Sequence, residues 1–271
     1  MITLFENQLK GSERQSSKGN QLKWETGGIW YKADYLGYEG LSEYIASTVL
    51  SFSSLHPSEY VRYETEEISY KKSLLKGSKS SDFLPAGWQM ITIERLFRNR
   101  FGKSIGAMLY GIPDIRERLR FLTEQVEGMT GIRDFGIYMN KILTVDALLL
   151  NEDRHTHNIA VLCDPAGRFH LCPIFDNGSS LLSDTTLDYP MSGEIYELID
   201  TVHGKTLCDS FYEALTVSEE LYGENISFHF TWNDITDALE KEKYYGKAEK
   251  ERVRTIRRVE PNRFKDRLRS E

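Results

Sequence analysis

One stretch constrains this 271-residue chain more than any other. LLLNEDRHTHNIAVL, residues 148–162, sets two acids, an arginine, two histidines and two asparagines between a run of leucines and a short apolar segment. Polar groups crowded against an otherwise apolar hairpin need partners or a task. Asp153 and Asn158 stand five residues apart; NIAVL, the turn DPAGR and FHLCPIF follow, and then a second acid, Asp176, precedes Asn-Gly. The order reads helix, loop, hairpin, acid. With the hairpin closed near Pro165 and Ala166, Asn158 falls opposite about Pro173, and Asp176 returns beside the loop that carries Asp153.

Three oxygen-bearing side chains in that arrangement suit phosphoryl transfer from a metal nucleotide. Magnesium prefers hard oxygen donors and keeps waters and phosphate oxygens beside one or two protein ligands, for which Asn158 and Asp176 are the candidates. Asp153, left off the metal, is placed to orient an acceptor hydroxyl and take its proton; the rest of such catalysis is positioning and charge neutralisation. The same acid-to-amide spacing occurs in the protein-kinase catalytic loop. An isolated DxxxxN carries little weight; the hairpin, Asp176-Asn-Gly and an upstream strand lysine, Lys32, supply the context.

The remainder of the chain is consistent with a globular protein of one large domain or two lobes. Apolar residues make up 40% and charged residues 28%, and no window approaches the roughly 18 to 20 apolar residues of a membrane span. The first residues, MITLFENQLKGSERQ, lack a secretory pattern. Cys163, Cys172 and Cys208 include no CxxC pair. A cytoplasmic address with buried thiols is the expectation. Aromatic-rich, alternating NQLKW and IWYKADY flank ETGG as a hairpin, EGLSEYIASTVLSF has helical spacing, and YVRYETEEISYKK reads as a further strand pair. GSKSSDFLPAGWQ reads as a loop joining two lobes, which divides the chain into a β-rich N-lobe, 1–87, and a helical C-lobe, 88–271. Within the second, Ile115, Leu119, Leu122 and Val126 stripe one helix, with Gly128 closing it, and Phe135, Met139, Ile142, Val145 and Leu149 stripe the next. Two or three more helices follow residue 190.

NEDRHTHN followed by LCPIFDNGSSLL resembles the core of the HipA-like serine/threonine kinases. SSKGNQLKW is similar to their phosphate loop, a Ser-containing turn running into Gly-x-Gln-x-Lys, with Gly19, Gln21 and Lys23 at matching places and Ser17 a further nucleotide-binding candidate. The resemblance spans roughly residues 15 to 235. It implies a two-lobed, protein-kinase-like α+β fold, ATP and Mg2+ as cofactors, and transfer of the γ-phosphoryl group to a Ser or Thr of a protein substrate. It also implies that Lys32 reaches the nucleotide phosphates, with Glu43 as its ion-pair partner and Glu39 the alternative. Ser16, with Ser17 next, is the implied autophosphorylation site, and an antitoxin-like regulator is an implied partner. Because the chain begins near the phosphate loop, the extra N-terminal subdomain of full-length HipA toxins is expected to be missing. Phosphoinositide kinases share a similar loop, so lipid phosphorylation stays open, as does a nucleotide-binding pseudokinase acting as an interaction module.

Two features have plainer readings. His155 and His157 form an HxH that could hold zinc with Asp153 and Asp176, but bracing of the loop by His155 is the simpler role. Arg154 is read as a structural partner of an acid or a backbone carbonyl. Residues 247–269 carry ten Lys/Arg against four Asp/Glu in a chain of net charge −7. With acids interspersed and Phe264 the only ring there, a solvated terminal helix is favoured over a nucleic-acid or membrane patch.

Overall fold

The computed structural model describes residues 1–10, 21–205 and 207–259. The described residues form two compact units, each discontinuous in sequence: those within 1–82, 176–202 and 227–259 in the first, those within 83–175 and 203–226 in the second. A single cut at residue 87 therefore does not describe the packing, because the segments after Asp176 and after Ser227 join the N-terminal residues.

The first unit is built on a five-stranded sheet. Its strands are β1 (Ile2–Thr3), β2 (Lys23–Thr26), β3 (Ile29–Ala33), β4 (Glu64–Tyr70) and β5 (Ser73–Ser81), in spatial order β1-β4-β5-β3-β2, with β1 parallel to β4 and the other pairs antiparallel. Gly27 and Gly28 (φ 61° and 76°) close β2 onto β3 with the two-residue turn that matches strand twist. Lys71 and Lys72 (φ 46° and 67°) make the corresponding turn between β4 and β5 without glycine. Leu4, Trp24, Tyr31, Ala33, Ile68 and Tyr70 form a buried cluster, Trp24 meeting Tyr70 edge-on with ring centres 5.1 Å apart. Strand alternation sends Lys32, between Tyr31 and Ala33, to the opposite face.

Helix α1 (Glu39–Ser51) packs against β4 and β5, burying Leu41, Ser42, Glu43, Ile45 and Val49. The GSKS stretch read as loop is strand instead: Gly77, Ser78 and Lys79 pair with β4 on one side and β3 on the other. Two full ladders of backbone hydrogen bonds make up for the low strand propensity of Gly, Ser and Lys.

The second unit holds a three-stranded sheet, β6 (Gln89–Thr92), β7 (Ala160–Cys163) and β8 (Phe169–Leu171), with β7 central. It also contains α2 (Ile93–Phe101), α3 (Ile105–Tyr110), α4 (Ile115–Thr130), α5 (Phe135–Leu149) and α7 (Phe211–Tyr222). Asp114 caps α4, accepting from the Glu117 N–H at 2.9 Å. Gly128 lies inside α4; Gly131, left-handed at φ 75°, ends it. Helices α4, α5 and α7 pack together, and Asn140 donates to Ser218 across α5 and α7 at 3.0 Å. The first unit is completed by α6 (Ile195–Thr201), α8 (Trp232–Lys241) and α9 (Lys247–Val259). Helix α9 buries Arg252, Val253, Ile256 and Arg257 in that unit, so its basic character is not that of a wholly solvated helix. Among the described residues no helix is long and apolar enough to cross a membrane.

Candidate active site

Within the first unit, the Lys32 ammonium lies 2.8 Å from Glu43 Oε1 and 2.8 Å from Asp176 Oδ1. All three side chains are largely buried. Glu43 reaches the lysine from the second turn of α1, and its other oxygen accepts from the Asn177 N–H at 2.9 Å. Glu39 is engaged elsewhere: its carboxylate accepts from the backbone N–H groups of Tyr35, Leu36 and Gly37 ahead of α1. Below the lysine, the Tyr63 ring lies 5.2 Å from Nζ, and the Asp176 N–H donates to the Tyr63 hydroxyl at 3.5 Å. Asp176 itself is left-handed, φ 60°, a conformation that Asp tolerates better than most residues.

One ammonium shared by two carboxylates leaves the trio one negative charge in excess when all are ionised. Burial works against the Lys32 charge, yet Asp176 and Glu43 outweigh it and hold the lysine well above its ordinary value. Burial, reinforced by Asp176, pushes the Glu43 carboxyl up although Lys32 opposes it. A buried site with surplus negative charge and hard oxygen atoms has the chemistry to take a divalent cation.

Within the second unit, the segment from Asn151 to Asn158 is a compact turn. Asn158 donates its side-chain amide to the Asp153 carbonyl at 3.0 Å, which leaves its oxygen as the end suited to a cation. The His155 N–H donates to the same carbonyl at 2.9 Å, and the Asn158 N–H to the His155 carbonyl at 2.7 Å. His155 Nε2 lies 3.9 Å from Asp153 Oδ2, and the His155 and His157 rings meet edge to face. Among the described residues no three His, Cys, Asp or Glu side chains converge in a metal-ready cluster.

Two buried acids that spacing did not single out anchor this loop. Asp146, on the last turn of α5, accepts from Arg154 Nε and Nη2 at about the same distance (3.1 and 2.9 Å) and from Asn151 at 2.9 Å. Arg154 in turn donates to the carbonyls of Asn158 at 3.2 Å and Phe175 at 2.6 Å, and Phe175 immediately precedes Asp176 in the chain. Glu94, near the start of α2, accepts from the Thr156 hydroxyl at 3.1 Å and the Gly106 N–H at 3.2 Å. Burial would raise its carboxyl, but Ser104, Gly106, Arg98 and Thr156 together hold it below the usual value. For Asp146 the signal was present, because an acid inside an apolar helical stripe must find a partner; the charged sequence of α2 gave none for Glu94. The hairpin pairs Val161 with Leu171 and Cys163 with Phe169, a register that sets Asn158 opposite Ile174, one residue beyond the expected Pro173.

Lys32, Glu43 and Asp176 thus meet within the first unit, and Asp153 and Asn158 within the second. Gln21 precedes β2, half-buried, and Lys23 sits in β2 opposite Lys32. Ser16, Ser17 and Gly19 lie outside the described residues.

No protein-family model matches the sequence, and no curated protein matches it. Among solved structures, the chain is similar to the Helicobacter pylori proinflammatory kinase CtkA, at 16% identity and a TM-score of 0.55 over 93% of this chain and 89% of that one. It also matches a chain of the Shewanella oneidensis MR-1 toxin–antitoxin complex of HipA, HipB and operator DNA, at 13% identity and a TM-score of 0.47, over 95% of this chain and 66% of that one. The likeness to CtkA establishes the fold: this chain has the protein-kinase-like α+β architecture expected from its sequence.

Proposed function

We propose that this protein is a HipA-like, ATP-dependent kinase that transfers the γ-phosphoryl group to a Ser or Thr hydroxyl of a protein. Asp153 orients the acceptor hydroxyl and takes its proton; Asn158 and Asp176 are oxygen ligands of Mg2+. Lys32, held charged by Glu43, binds the nucleotide phosphates, with Ser17, Gly19 and Gln21 contributing from the phosphate loop and Ser16 or Ser17 as the autophosphorylation site. Magnesium supplies charge neutralisation at the transferring phosphoryl group, and the protein groups supply orientation. The observation that carries this reading is the buried Lys32 bridging Glu43 and Asp176 at 2.8 Å each on a kinase-like fold. A solvated strand lysine would have no need of two buried acids, and a structural ion pair would need only one.

The test is incubation of the purified protein with labelled Mg-ATP beside the Asp153→Ala variant, with mapping of any phosphoserine or phosphothreonine. Transfer by wild type, with a rate lower by about 10²- to 10⁴-fold in the variant and nucleotide binding retained, is the expected outcome. Nucleotide binding by wild type without transfer to any acceptor points to a pseudokinase; label in lipid but not protein points to the phosphoinositide-type alternative.

A further inference from the structure

We infer that Arg252, on the C-terminal helix α9, is a positioning residue for Asp176 and Glu43. Its guanidinium is buried and donates three ways: Nε to the Tyr38 hydroxyl at 3.2 Å, Nη1 to the Pro190 carbonyl at 3.1 Å and Nη2 to the Tyr189 carbonyl at 2.9 Å. Tyr38 is the residue before α1, and it passes the connection on. Its hydroxyl donates to the Leu181 carbonyl at 2.6 Å, while its N–H donates to the Ser183 carbonyl at 3.2 Å. One turn along, the Ser42 hydroxyl donates to the Ser180 carbonyl at 2.8 Å, and Glu43 receives the Asn177 N–H. The segment from Asp176 to Pro190 is therefore laced to Tyr38, just ahead of α1, and to α1 itself at residues 42 and 43, and Arg252 holds both the start of that lacing and its far end.

The segment needs such a hold. Leu181 and Leu182 are consecutive left-handed residues, φ 57° and 56°, with fully buried side chains. Bulky L-residues avoid this conformation, and it persists only where surrounding bonds over-determine it. The Tyr38 hydroxyl bonds the carbonyl of the first of the pair, and a buried arginine fixes that hydroxyl in turn. Loss of Arg252 removes one external anchor, the one that fixes the Tyr38 hydroxyl and the Tyr189 and Pro190 carbonyls; the leucine pair then relaxes toward ordinary backbone, and Asp176, five residues upstream, loses its register with Lys32. The bond from Asn177 to Glu43 carries the same disturbance to α1.

The consequence for nucleotide rests on the kinase reading; the structural claim does not, and the experiment separates them. Hydrogen exchange by mass spectrometry is compared for wild type, Arg252→Ala, Arg252→Lys and Tyr38→Phe, alongside Mg-ATP affinity and the KM and kcat of transfer. Arg252→Ala is expected to speed exchange across residues 177–190 while leaving 135–162 unchanged, and to weaken Mg-ATP by about tenfold with a larger effect on KM than on kcat. Arg252→Lys, which keeps a donor, restores part of both. Tyr38→Phe deletes only the hydroxyl and speeds exchange around Leu181, which keeps the claim testable if Arg252→Ala does not fold. Wild-type exchange at 177–190 in a folded variant, or acceleration spread evenly over the chain, overturns the inference. Failure of wild type to bind Mg-ATP removes the kinase reading, and the exchange data then decide the positioning claim on their own.

Discussion

At the scale of single residues, Asp176 shows how a catalytic assignment and a stability argument part company. Its carboxylate is the second negative charge on Lys32, in a buried trio where Glu43 alone would neutralise the ammonium. Asp176→Asn removes that surplus charge, keeps a side chain of the same shape, and suits the left-handed backbone at φ 60° at least as well. The variant is expected to melt no lower than wild type while phosphoryl transfer falls by at least about 10²-fold, the scale for losing one electrostatic group aimed at the reacting centre. A thermal melt and a transfer assay on the same preparation check both halves; a large loss of stability with activity intact would reverse the assignment. At this scale spacing and chemistry alone single out Asp153, Asn158 and Asp176 as candidates. Asp146 and Glu94 were less visible, because their partners, Arg154 and Thr156, lie on other elements, and one-dimensional spacing does not show which turn of a helix faces a loop.

At the scale of elements, α1 is placed by glycine. A Cβ on Gly40 would fall into the backbone of Gly77 on β5, and a Cβ on Gly77 would fall onto the Lys32 carbonyl on β3. The helix can therefore approach the sheet this closely only with Gly40 bare, and β5 can lie this close to β3 only with Gly77 bare. Gly40→Ala is expected to cost roughly 1–3 kcal/mol, the range for overpacking, and to separate Glu43 from Lys32. The measurements are a lowered melting temperature together with weaker Mg-ATP binding; unchanged values for both would show that α1 yields without consequence. The same helix start carries a pH dependence. Asp34 accepts from the Gly40 N–H and the Tyr245 hydroxyl, both at 2.7 Å, and burial, helped by nearby Glu39, raises its carboxyl from the ordinary 3.8 to about 7 despite Tyr245, Gly40 and Lys76. Between about pH 4 and pH 7 the unfolded chain has released a proton that the folded chain keeps, so this group lowers stability as pH rises through that window, by at most about 1.4 kcal/mol per pH unit. Asp34→Asn keeps both partners and is expected to flatten that part of the stability profile, measured by denaturant unfolding at several pH values. Element type was legible from periodicity for β2, β3, α1, α4 and α5. It failed for β5, whose Gly-Ser-Lys run is strand only because both neighbours pair with it, and for β6, α2 and α3, which are too short for a period to declare itself.

At the scale of the whole molecule, the linear order of the chain conceals its packing. Residues 176–202 and 227–259 pack with the first eighty, through contacts of long sequence separation such as Tyr245 with Asp34 and Arg252 with Tyr38. A boundary drawn from loop-like composition has no access to such pairings, whereas the local motif from Asn151 to Asp176 is compact enough in sequence to be read directly. The overall charge of −7 disfavours a polyanion, so any nucleotide affinity has to come from local cations and a bound metal. Ligand linkage turns this into a measurement on the intact chain. A ligand that binds only the folded state at a hundred times its dissociation constant adds about 2.7 kcal/mol, which for a protein of this size corresponds to a rise in melting temperature of several degrees. Mg-ATP is expected to produce that rise, and chelation of Mg2+ to remove most of it. In Asp176→Asn the chelator should make little further difference, since the metal-dependent part is already lost. In Lys32→Met the rise with Mg-ATP should shrink because phosphate has lost its cation. An equal shift for ATP with and without Mg2+ in wild type would detach Asp176 from any metal and return it to the role of a structural partner for Lys32.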